Sequence, residues 1–330
     1  RQLKDDASVK LGEITHAVIT VPAYFNEKQK TATRKAAELA GLKVQRLLAE
    51  PTAAAISYGV DKMGKDEEKV FLVYDFGGGT FDLSILVASG GNFIESGTGG
   101  DRWLGGDDID KALMNYVFEQ TNKEQNVDVQ ALIEALDDRK RFAFQGELKK
   151  QIESAKKQLS NSKAASIEIF GELETEDGDI VDIEVGITRD EFENLIRPLI
   201  QRTINLVDEL LDKTGYPIET IDNILLVGGS SCIPLVKNML VAKYGEDKIL
   251  SSEKPMLAIA EGAAILAHSL SDEFECPECG EMVPKECIIC PHCGAKLEKM
   301  SDDAGAEELP IMVTYTTKHN YYIKLESGNQ

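Results

Sequence analysis

The segment that most constrains this chain covers residues 70–87 and reads VFLVYDFGGGTFDLSILV. An apolar, strand-like run ends at Asp75, three consecutive glycines and Thr80 follow, and a second alternating strand begins at Phe81. Glycine allows a backbone to approach an anion closely, and successive N–H groups can form a nest for phosphate oxygens. A carboxylate at the strand end is suited to hold hydrated Mg²⁺ beside a phosphate. The segment predicts a phosphate loop inside a β-hairpin, with a glycine-rich turn that binds nothing as the alternative.

Two further segments indicate a binding cleft. Residues 225–231 read LLVGGSS, and Pro234, a good first-turn residue of a helix, follows closely. The paired glycines would let this turn lie flat against a planar group or a ribose, although an ordinary strand-to-helix turn looks the same in sequence. The run VQRLLAEPTAAAISYG places Glu50 where a strand ends and an alanine-rich helix begins. This position suits a carboxylate facing a cleft, but acids are also common in the first turn of a helix without a catalytic role.

Four motifs, in order and at consistent spacing, resemble the ATPase domain of the seventy-kilodalton heat-shock (DnaK-type) chaperones. They are VITVPAYFNEKQKTATRKAAELAGLKVQRLLAEPTAAAISYG, VYDFGGGTFDLSIL, GDRWLGGDDID and LLVGGSSCIP. The resemblance extends over roughly residues 5–270. It implies an α/β chain with the two-lobed, actin-like (ribonuclease H-like) ATPase fold, and the helices and mixed sheets expected along the chain agree with it.

The resemblance also implies site residues, each through its position in a matching motif. Asp75 would stand on the Mg²⁺ side, Thr80 near the γ-phosphate, and Glu50 beside the metal and the attacking water. The other implied contacts are Gly77, Gly78 and Gly79 in the phosphate loop, Glu153, Lys156, Lys157 and Ser160 in an adenosine-contacting helix, and Gly228, Gly229 and Ser230 in the turn under adenine and ribose. The implied cofactors are ATP or ADP with Mg²⁺, because phosphoryl transfer needs positioning and charge neutralisation more than covalent chemistry.

The favoured interpretation of function follows from the same resemblance. It implies an ATP-dependent molecular chaperone, in which ATP binding and hydrolysis control the binding of unfolded polypeptide. Client polypeptides, a J-domain co-chaperone and a nucleotide exchange factor are the implied partners, and Pro22 and Arg46 stand at positions that couple nucleotide state to the linker and to J-domain partners. The alternative is a non-hydrolysing nucleotide-domain scaffold that binds a protein partner through a zinc ribbon. A small-molecule kinase on the same fold is disfavoured by the AEPTAAA segment.

The chain departs from the family pattern at several positions. The family's first phosphate loop, Asp-x-Gly-Thr-Thr after a strand, is absent, and Arg1 is not a start methionine, so we expect a fragment that begins inside the first lobe. Cys232 stands where the family usually has an arginine stacked on adenine, and a thiol does not replace guanidinium stacking. Met256 replaces an acidic residue near the nucleotide, and Ala49 replaces an asparagine. We expect weaker or altered nucleotide binding.

A cysteine-rich segment, CPECGEMVPKECIICPHCG at 276–294, follows the ATPase-like part. Its CxxC knuckles, each followed by a glycine that frees the backbone to turn around a metal, are Cys276 with Cys279 and Cys290 with Cys293. Thiolates at this spacing predict a structural, tetrahedral Zn²⁺ site in a zinc ribbon. Disulfides are the competing interpretation, but nothing in the sequence suggests an oxidising compartment. Cys287 is interpreted as a spare thiol and His292 as a surface residue, with a ligand role for either as the alternative.

These motifs divide the chain into predicted parts. They are an actin-like nucleotide-binding domain lacking its N-terminal phosphate loop at 1–272, the zinc ribbon at 273–298, an acidic linker at 299–309, and the start of a β-type substrate-binding domain at 310–330. The last part is predicted because residues 311–325 alternate apolar and polar side chains. The zinc ribbon would stand where the family has its interdomain linker, as a docking module or as a rigid spacer.

Composition limits the partners and the location. The formal charge of −21 argues against nonspecific binding to nucleic acid or to an anionic membrane. In the ribbon, Glu278, Glu281 and Glu286 outnumber Lys285, so a protein partner is favoured there over a nucleic acid. No apolar run approaches the roughly 20 residues of a membrane span, and no signal sequence is visible. We therefore expect a cytoplasmic protein.

Overall fold

The computed structural model describes most of the chain and divides it into two units. It describes residues 1–59, 67–89, 92–270, 273–280, 282–284, 289–290, 292–297 and 312–314. The first unit comprises Arg1–Phe71, Ile85–Gly97 and Gly262–Gln330, and the second comprises Leu72–Ser84 and Thr98–Glu261. Helices and strands occur in both units, so the α/β class predicted from the sequence is confirmed.

The N-terminal part of the first unit contains a parallel pair of strands with helices before, between and after them. These elements are α1 (Gln2–Leu11), β1 (His16–Val21), α2 (Glu27–Leu39), β2 (Lys43–Ala49) and α3 (Glu50–Ser57). β1 and β2 pair in parallel, with His16 opposite Lys43. Because β2 passes directly into α3, the strand-to-helix junction predicted at Glu50 is confirmed.

A mixed sheet carries the predicted phosphate hairpin. Its strands, in hydrogen-bonding order, are β12 (Met312–Thr314), β5 (Asn92–Asp101), β4 (Phe81–Ser89), β3 (Glu68–Phe76), β8 (Asn223–Val227) and β9 (Ile249–Ser251). β3 and β4 bury most of their side chains, which explains the nearly continuous apolar runs in their sequences. The two strands are neighbours in the sheet, so the hairpin predicted at 70–87 is confirmed.

The second unit adds long helices and an antiparallel pair of strands. These elements are α4 (Gly106–Gln125), α5 (Val129–Ala135), α6 (Asp138–Asn161), β6 (Ala164–Glu174), β7 (Ile180–Thr188), α7 (Arg189–Thr214) and α8 (Pro234–Tyr244). Along β6 and β7 buried residues alternate with more exposed ones, since one face packs on the core and the other meets solvent. α7 begins with a capping box between Thr188 and Glu191 and ends at Gly215 in the left-handed conformation.

The C-terminal part begins with α9 (Ala258–Ser269), which the short antiparallel strands β10 (Glu273–Glu275) and β11 (Met282–Pro284) follow. β12 then pairs in parallel with β5, with Met312 opposite Asn92. The predicted acidic linker at 299–309, and the predicted strands at 311–325 apart from β12, lie outside the described residues. Among the helices described, none combines the length and the apolar character needed to cross a bilayer.

Gly262 sets how closely α9 packs on α3. A Cβ at this position would lie 1.7 Å from the Ala53 carbonyl oxygen. We expect Gly262→Ala to lower the free energy of unfolding by about 3 kcal/mol, because overpacking outweighs the gain in helix propensity. Gly146→Ala in α6 is the matched control, since a Cβ there meets no atom within 4 Å. It should raise stability by up to about 1 kcal/mol. Chemical denaturation measures both, and equal effects would contradict the close contact.

Candidate functional site

Backbone contacts hold the glycine loop of the β3–β4 hairpin. Across the turn, the Gly77 N–H donates to the Thr80 carbonyl oxygen at 3.0 Å. At the start of α4, the Gly106 and Asp107 N–H groups donate to the carbonyl oxygens of Gly77 and Gly78, at 3.0 and 2.7 Å. The first N–H groups of a helix have no partner within the helix, so the loop carbonyls satisfy two of them. The loop is therefore fixed against the beginning of α4.

The second glycine turn, between β8 and α8, touches the same loop. Ser230 Oγ donates to the Gly77 carbonyl oxygen at 2.8 Å. At Gly228, where φ is 86°, a Cβ would lie 2.4 Å from the Phe76 carbonyl oxygen and 2.7 Å from Asp75 Oδ1. Only glycine suits this combination of conformation and distance. The structure thus brings Asp75 and both glycine turns together.

A cavity of about 770 Å³ lies beside these turns, within the second unit. The predicted site residues that line it are Gly78, Glu153, Lys156, Lys157, Ser160, Gly229 and Ser230. The predicted residues of the adjoining hairpin and turn are Asp75, Gly77, Gly79, Thr80 and Gly228. Glu50, which is half-buried, belongs to the first unit, at the start of α3. The cavity has the size of typical small-molecule sites.

Two lysines of α6 are held by carboxylates beside the cavity. Lys156 Nζ lies 2.7 Å from Asp110 Oδ1, with both side chains only 14% exposed, and 3.4 Å from the Gly106 carbonyl oxygen. Burial raises the pKa of Asp110, and the Lys156 ammonium opposes this effect. Lys157 Nζ lies 2.6 Å from Glu153 Oε1, and this hydrogen bond lowers the pKa of Glu153. Lys156 therefore links α6 to the start of α4, whereas Lys157 remains largely exposed.

Asp82 and Asp110 are acidic residues near the site that the sequence motifs did not single out. Asp82 is half-buried in β4, and its carboxylate is hydrogen-bonded to the Thr80 side chain. Burial raises the pKa of Asp82, while the Thr80 hydrogen bond and the Arg102 charge lower it without cancelling the effect of burial. A sequence signal was present, because Asp82 is the only charged residue of β4. A partly buried carboxylate beside a phosphate loop is a candidate functional group.

Cys232 and Met256, two of the departures from the family pattern, both line the cavity. Burial raises the pKa of the Cys232 thiol, so this group is neutral at pH 7. The Met256 side chain is 62% exposed. Both residues offer polarisable sulfur to a flat ring, without the charge and planar stacking that a guanidinium provides. Altered nucleotide affinity stays a prediction.

Four cysteines converge near the C-terminal strands: Cys276, Cys279, Cys290 and Cys293. Their Sγ atoms all lie within 4.8 Å of one another. The Sγ–Sγ distance is 3.8 Å between Cys276 and Cys293 and 3.7 Å between Cys279 and Cys290. A regular tetrahedron with Zn–S bonds of about 2.3 Å has edges of about 3.8 Å. The sulfurs therefore have the spacing that a zinc site requires, and no disulfide joins the cysteines that the structure describes.

Each of the two CxxC knuckles forms the same type of backbone turn. The Gly280 N–H donates to the Cys276 carbonyl oxygen at 2.8 Å, and the Gly294 N–H donates to the Cys290 carbonyl oxygen at 2.9 Å. Both glycines have positive φ, 75° and 77°, which favours glycine over other residues. The sequence prediction that these glycines let the backbone turn around a metal agrees with this geometry.

Hydrogen bonding prepares Cys290 for a metal. Burial works against its ionisation, but the N–H groups of Cys293 and His292 and the neighbouring thiols lower its pKa, while the interaction with Cys290 and Cys276 raises the pKa of the Cys293 thiol. Thiolate is the form that binds metal. His292 is not part of the cluster in the residues that the structure describes. Cys287, the other predicted alternative ligand, lies outside the described residues.

Comparisons with known proteins agree with this fold. The family model described as "Hsp70 protein" matches residues 1–280. Two relatives, each named Chaperone protein DnaK, come from two strains of Thermus thermophilus. Each is 41% identical over 275 residues, which is 83% of this chain and 43% of the relative. The chain thus spans less than half the length of these curated relatives. Its mixed α/β fold is that of the actin-like ATPase domain, and the chain belongs to the Hsp70 family.

Proposed function

We propose that this chain forms the nucleotide-binding part of an ATP-dependent molecular chaperone, in which ATP binding and hydrolysis control the binding of unfolded polypeptide. The observation that carries the proposal is the cavity beside the two glycine turns, lined by residues that the family resemblance assigns to phosphate and adenosine. Relatives named Chaperone protein DnaK support the chaperone role. Client polypeptides, a J-domain co-chaperone and a nucleotide exchange factor stay predictions from the same resemblance, and a cytoplasmic location stays a prediction from composition.

The groups beside the cavity suit a polyphosphate with its metal ion. Asp75, at the end of β3, would hold the water shell of Mg²⁺, and this ion would neutralise phosphate charge. The loop amides of the hairpin would bind phosphate oxygens, because glycines allow the close approach. Phosphoryl transfer depends mostly on such positioning and charge stabilisation. Glu50 keeps its predicted role beside the attacking water, which rests on the resemblance alone.

We assign Asp82 a positioning role. Its carboxylate is hydrogen-bonded to the Thr80 side chain, so it can fix the hydroxyl that the resemblance places near the γ-phosphate. The Arg102 charge nearby partly compensates the buried carboxylate. Because burial still raises its pKa, Asp82 opposes folding when it is ionised, which is a cost expected of a functional group rather than of a structural one.

Single-turnover ATP hydrolysis with Mg²⁺, measured on the full-length protein, tests the proposal. Asp75→Asn removes the charge but keeps the shape of the side chain, and we expect the rate to fall by about 100-fold or more. Asp212→Asn makes the same change at an exposed position of α7 and should leave the rate unchanged. ATP that is bound but not cleaved by the parent protein would contradict hydrolysis and favour a scaffold. Equal hydrolysis rates in the two variants would show that Asp75 takes no part in ATP hydrolysis.

Asp82→Asn separates stability from activity. Burial in the folded protein raises the pKa of Asp82 above its ordinary value of 3.8. The protonated carboxyl therefore stabilises the fold fully below pH 3.8, and this contribution is lost as pH rises through the pKa of the folded state. We therefore expect the variant to unfold at a higher temperature than the parent near pH 7, with a gap that narrows toward pH 4. ATP cleavage should slow by about tenfold or more, because the Thr80 hydroxyl loses the group that fixes its position. A variant less stable than the parent at pH 7 would show that the carboxylate stabilises the fold.

We also propose that the four-cysteine cluster binds one structural Zn²⁺. A site closed by four thiolates leaves no position for a reactive water, so the metal would organise the ribbon and not catalyse. The apolar core of the described ribbon is small, with Val283 and Leu297 buried beside Cys276 and Cys290. Metal binding contributes the folding energy of such modules, on the order of 10 kcal/mol in finger peptides. The role of the ribbon as a docking module, with a rigid spacer as the alternative, stays a prediction.

Metal analysis checks the zinc site directly. We expect about one Zn²⁺ per chain in the purified protein, measured by inductively coupled plasma mass spectrometry. The double variant Cys276→Ser/Cys290→Ser should lose the metal and become sensitive to proteases within the ribbon. Cys232→Ser, which alters a cysteine outside the cluster, should keep both properties of the parent. Metal-free protein with paired, oxidised cysteines would establish the disulfide interpretation instead.

A further inference from the structure

The four-cysteine cluster is asymmetric in its exposure. Two Sγ–Sγ contacts shorter than 4 Å join one knuckle to the other, and each pairs a buried cysteine with an exposed one, although Cys290 and Cys293 also interact within their knuckle. Buried Cys276 lies 3.8 Å from exposed Cys293, and buried Cys290 lies 3.7 Å from exposed Cys279. The Sγ–Sγ spacing fits a structural zinc site by itself, and the unequal exposure within each pair is the feature that thiol oxidation would use.

We propose that this cluster is a site of reversible oxidation by hydrogen peroxide, which releases Zn²⁺ and converts the four ligands into two disulfides between the knuckles. The disulfides are Cys276–Cys293 and Cys279–Cys290. The inference rests on the proposed zinc site and is independent of the nucleotide cavity. It assigns the ribbon a covalent modification in addition to its fold.

Exposure determines where the oxidation begins. Peroxide reacts with thiolate sulfur that it can reach, and susceptibility follows thiolate character and accessibility. Cys279 and Cys293 are exposed, whereas Cys276 and Cys290 are each only 1% exposed. The first attack therefore falls on an exposed sulfur. The buried sulfur of the opposite knuckle is within 3.8 Å of it and acts as the resolving thiolate.

The chemical steps balance with peroxide as the only oxidant. The exposed thiolate attacks one peroxide oxygen, an S–O bond forms, the O–O bond breaks, and hydroxide leaves, which gives a sulfenic acid. The buried thiolate attacks that sulfur, an S–S bond forms, and the sulfenic oxygen leaves as a second hydroxide. Each disulfide thus takes two electrons from two thiolates and consumes one peroxide. Loss of the anionic ligands releases Zn²⁺, and a dithiol reductant reverses the process.

The sulfur contacts of 3.7 and 3.8 Å favour linkage between the knuckles over linkage within one. In each knuckle the glycine N–H is bonded to the carbonyl of the first cysteine, so the turn directs both of its sulfurs toward the shared centre. A bond between knuckles shortens an existing contact of 3.7 or 3.8 Å to about 2.05 Å and leaves both turns in place. The oxidised ribbon would remain closed, because the disulfides connect the same segments that the metal connects.

Peroxide titration of the zinc-loaded protein tests this inference. Zinc content is measured first, release is followed with a metal-binding dye, free thiols are counted, and the linkages are mapped by mass spectrometry of unreduced peptides. We expect two equivalents of peroxide to release all the zinc and to consume four thiols of the cluster. The mapped linkages should be Cys276–Cys293 and Cys279–Cys290, and dithiothreitol with added zinc should restore the starting state.

The unfolded protein is the control for the pairing. In guanidinium with a metal chelator, the same chain should form mostly Cys276–Cys279 together with Cys290–Cys293 or Cys287–Cys290, because each of these pairs closes the shortest loop, whereas the zinc-loaded protein should form the linkages between the knuckles. The parent and Cys232→Ser should release zinc at the same rate. Protein without zinc before oxidation would overturn the zinc site and this inference together. Zinc-loaded protein that keeps its metal, or forms Cys276–Cys279 and Cys290–Cys293, would overturn this inference alone.

Discussion

Contact between glycine turns, main chain against main chain, is the constraint on which the nucleotide-binding part of this chain depends. A Cβ at Gly105 would lie 2.4 Å from the Gly78 carbonyl oxygen, and a Cβ at Gly228 would lie 2.4 Å from that of Phe76. The hydrogen bond from Ser230 to Gly77 joins the same turns. Because side chains are excluded at these points, the hairpin loop, the start of α4 and the turn after β8 share one small volume. A phosphate nest needs backbone N–H groups held in fixed positions, and these contacts hold them.

The elements that depend on a particular residue type were predictable from sequence. The hairpin at 70–87, the strand-to-helix junction at Glu50 and the cysteine knuckles all carry residues whose spacing has few structural explanations. The motifs did not single out Asp82 or Asp110: Asp82 has only the weak signal of being the one charged residue of its strand, and Asp110 lies on a helix, as many solvated acids do. These two carboxylates stand out only in the folded protein. Burial raises the pKa of both, and that burial depends on neighbours far away in sequence.

The ribbon shows the same limit in another form. CxxC spacing predicts that four sulfurs can surround one metal ion, but it is equally compatible with every pairing of the cysteines. Only the folded backbone shows that Cys276 contacts Cys293 and that Cys279 contacts Cys290. Burial of one cysteine in each pair likewise depends on packing against Val283 and Leu297. The sequence thus identifies the four ligand cysteines, but it does not show which of them are in contact with each other.

The pairing of β12 with β5 uses main-chain groups and does not require particular side chains. Met312 stands opposite Asn92 and Thr314 opposite Ile94, through main-chain groups that almost every residue type possesses. Proline is the main exception, because it lacks the N–H that a ladder requires. The backbone pairing itself therefore places few demands on the residue types of β12. Gly105 and Gly228 differ, because a Cβ at either position would meet a backbone carbonyl oxygen, so any substitution there would force the main chain of the turns beside the cavity apart.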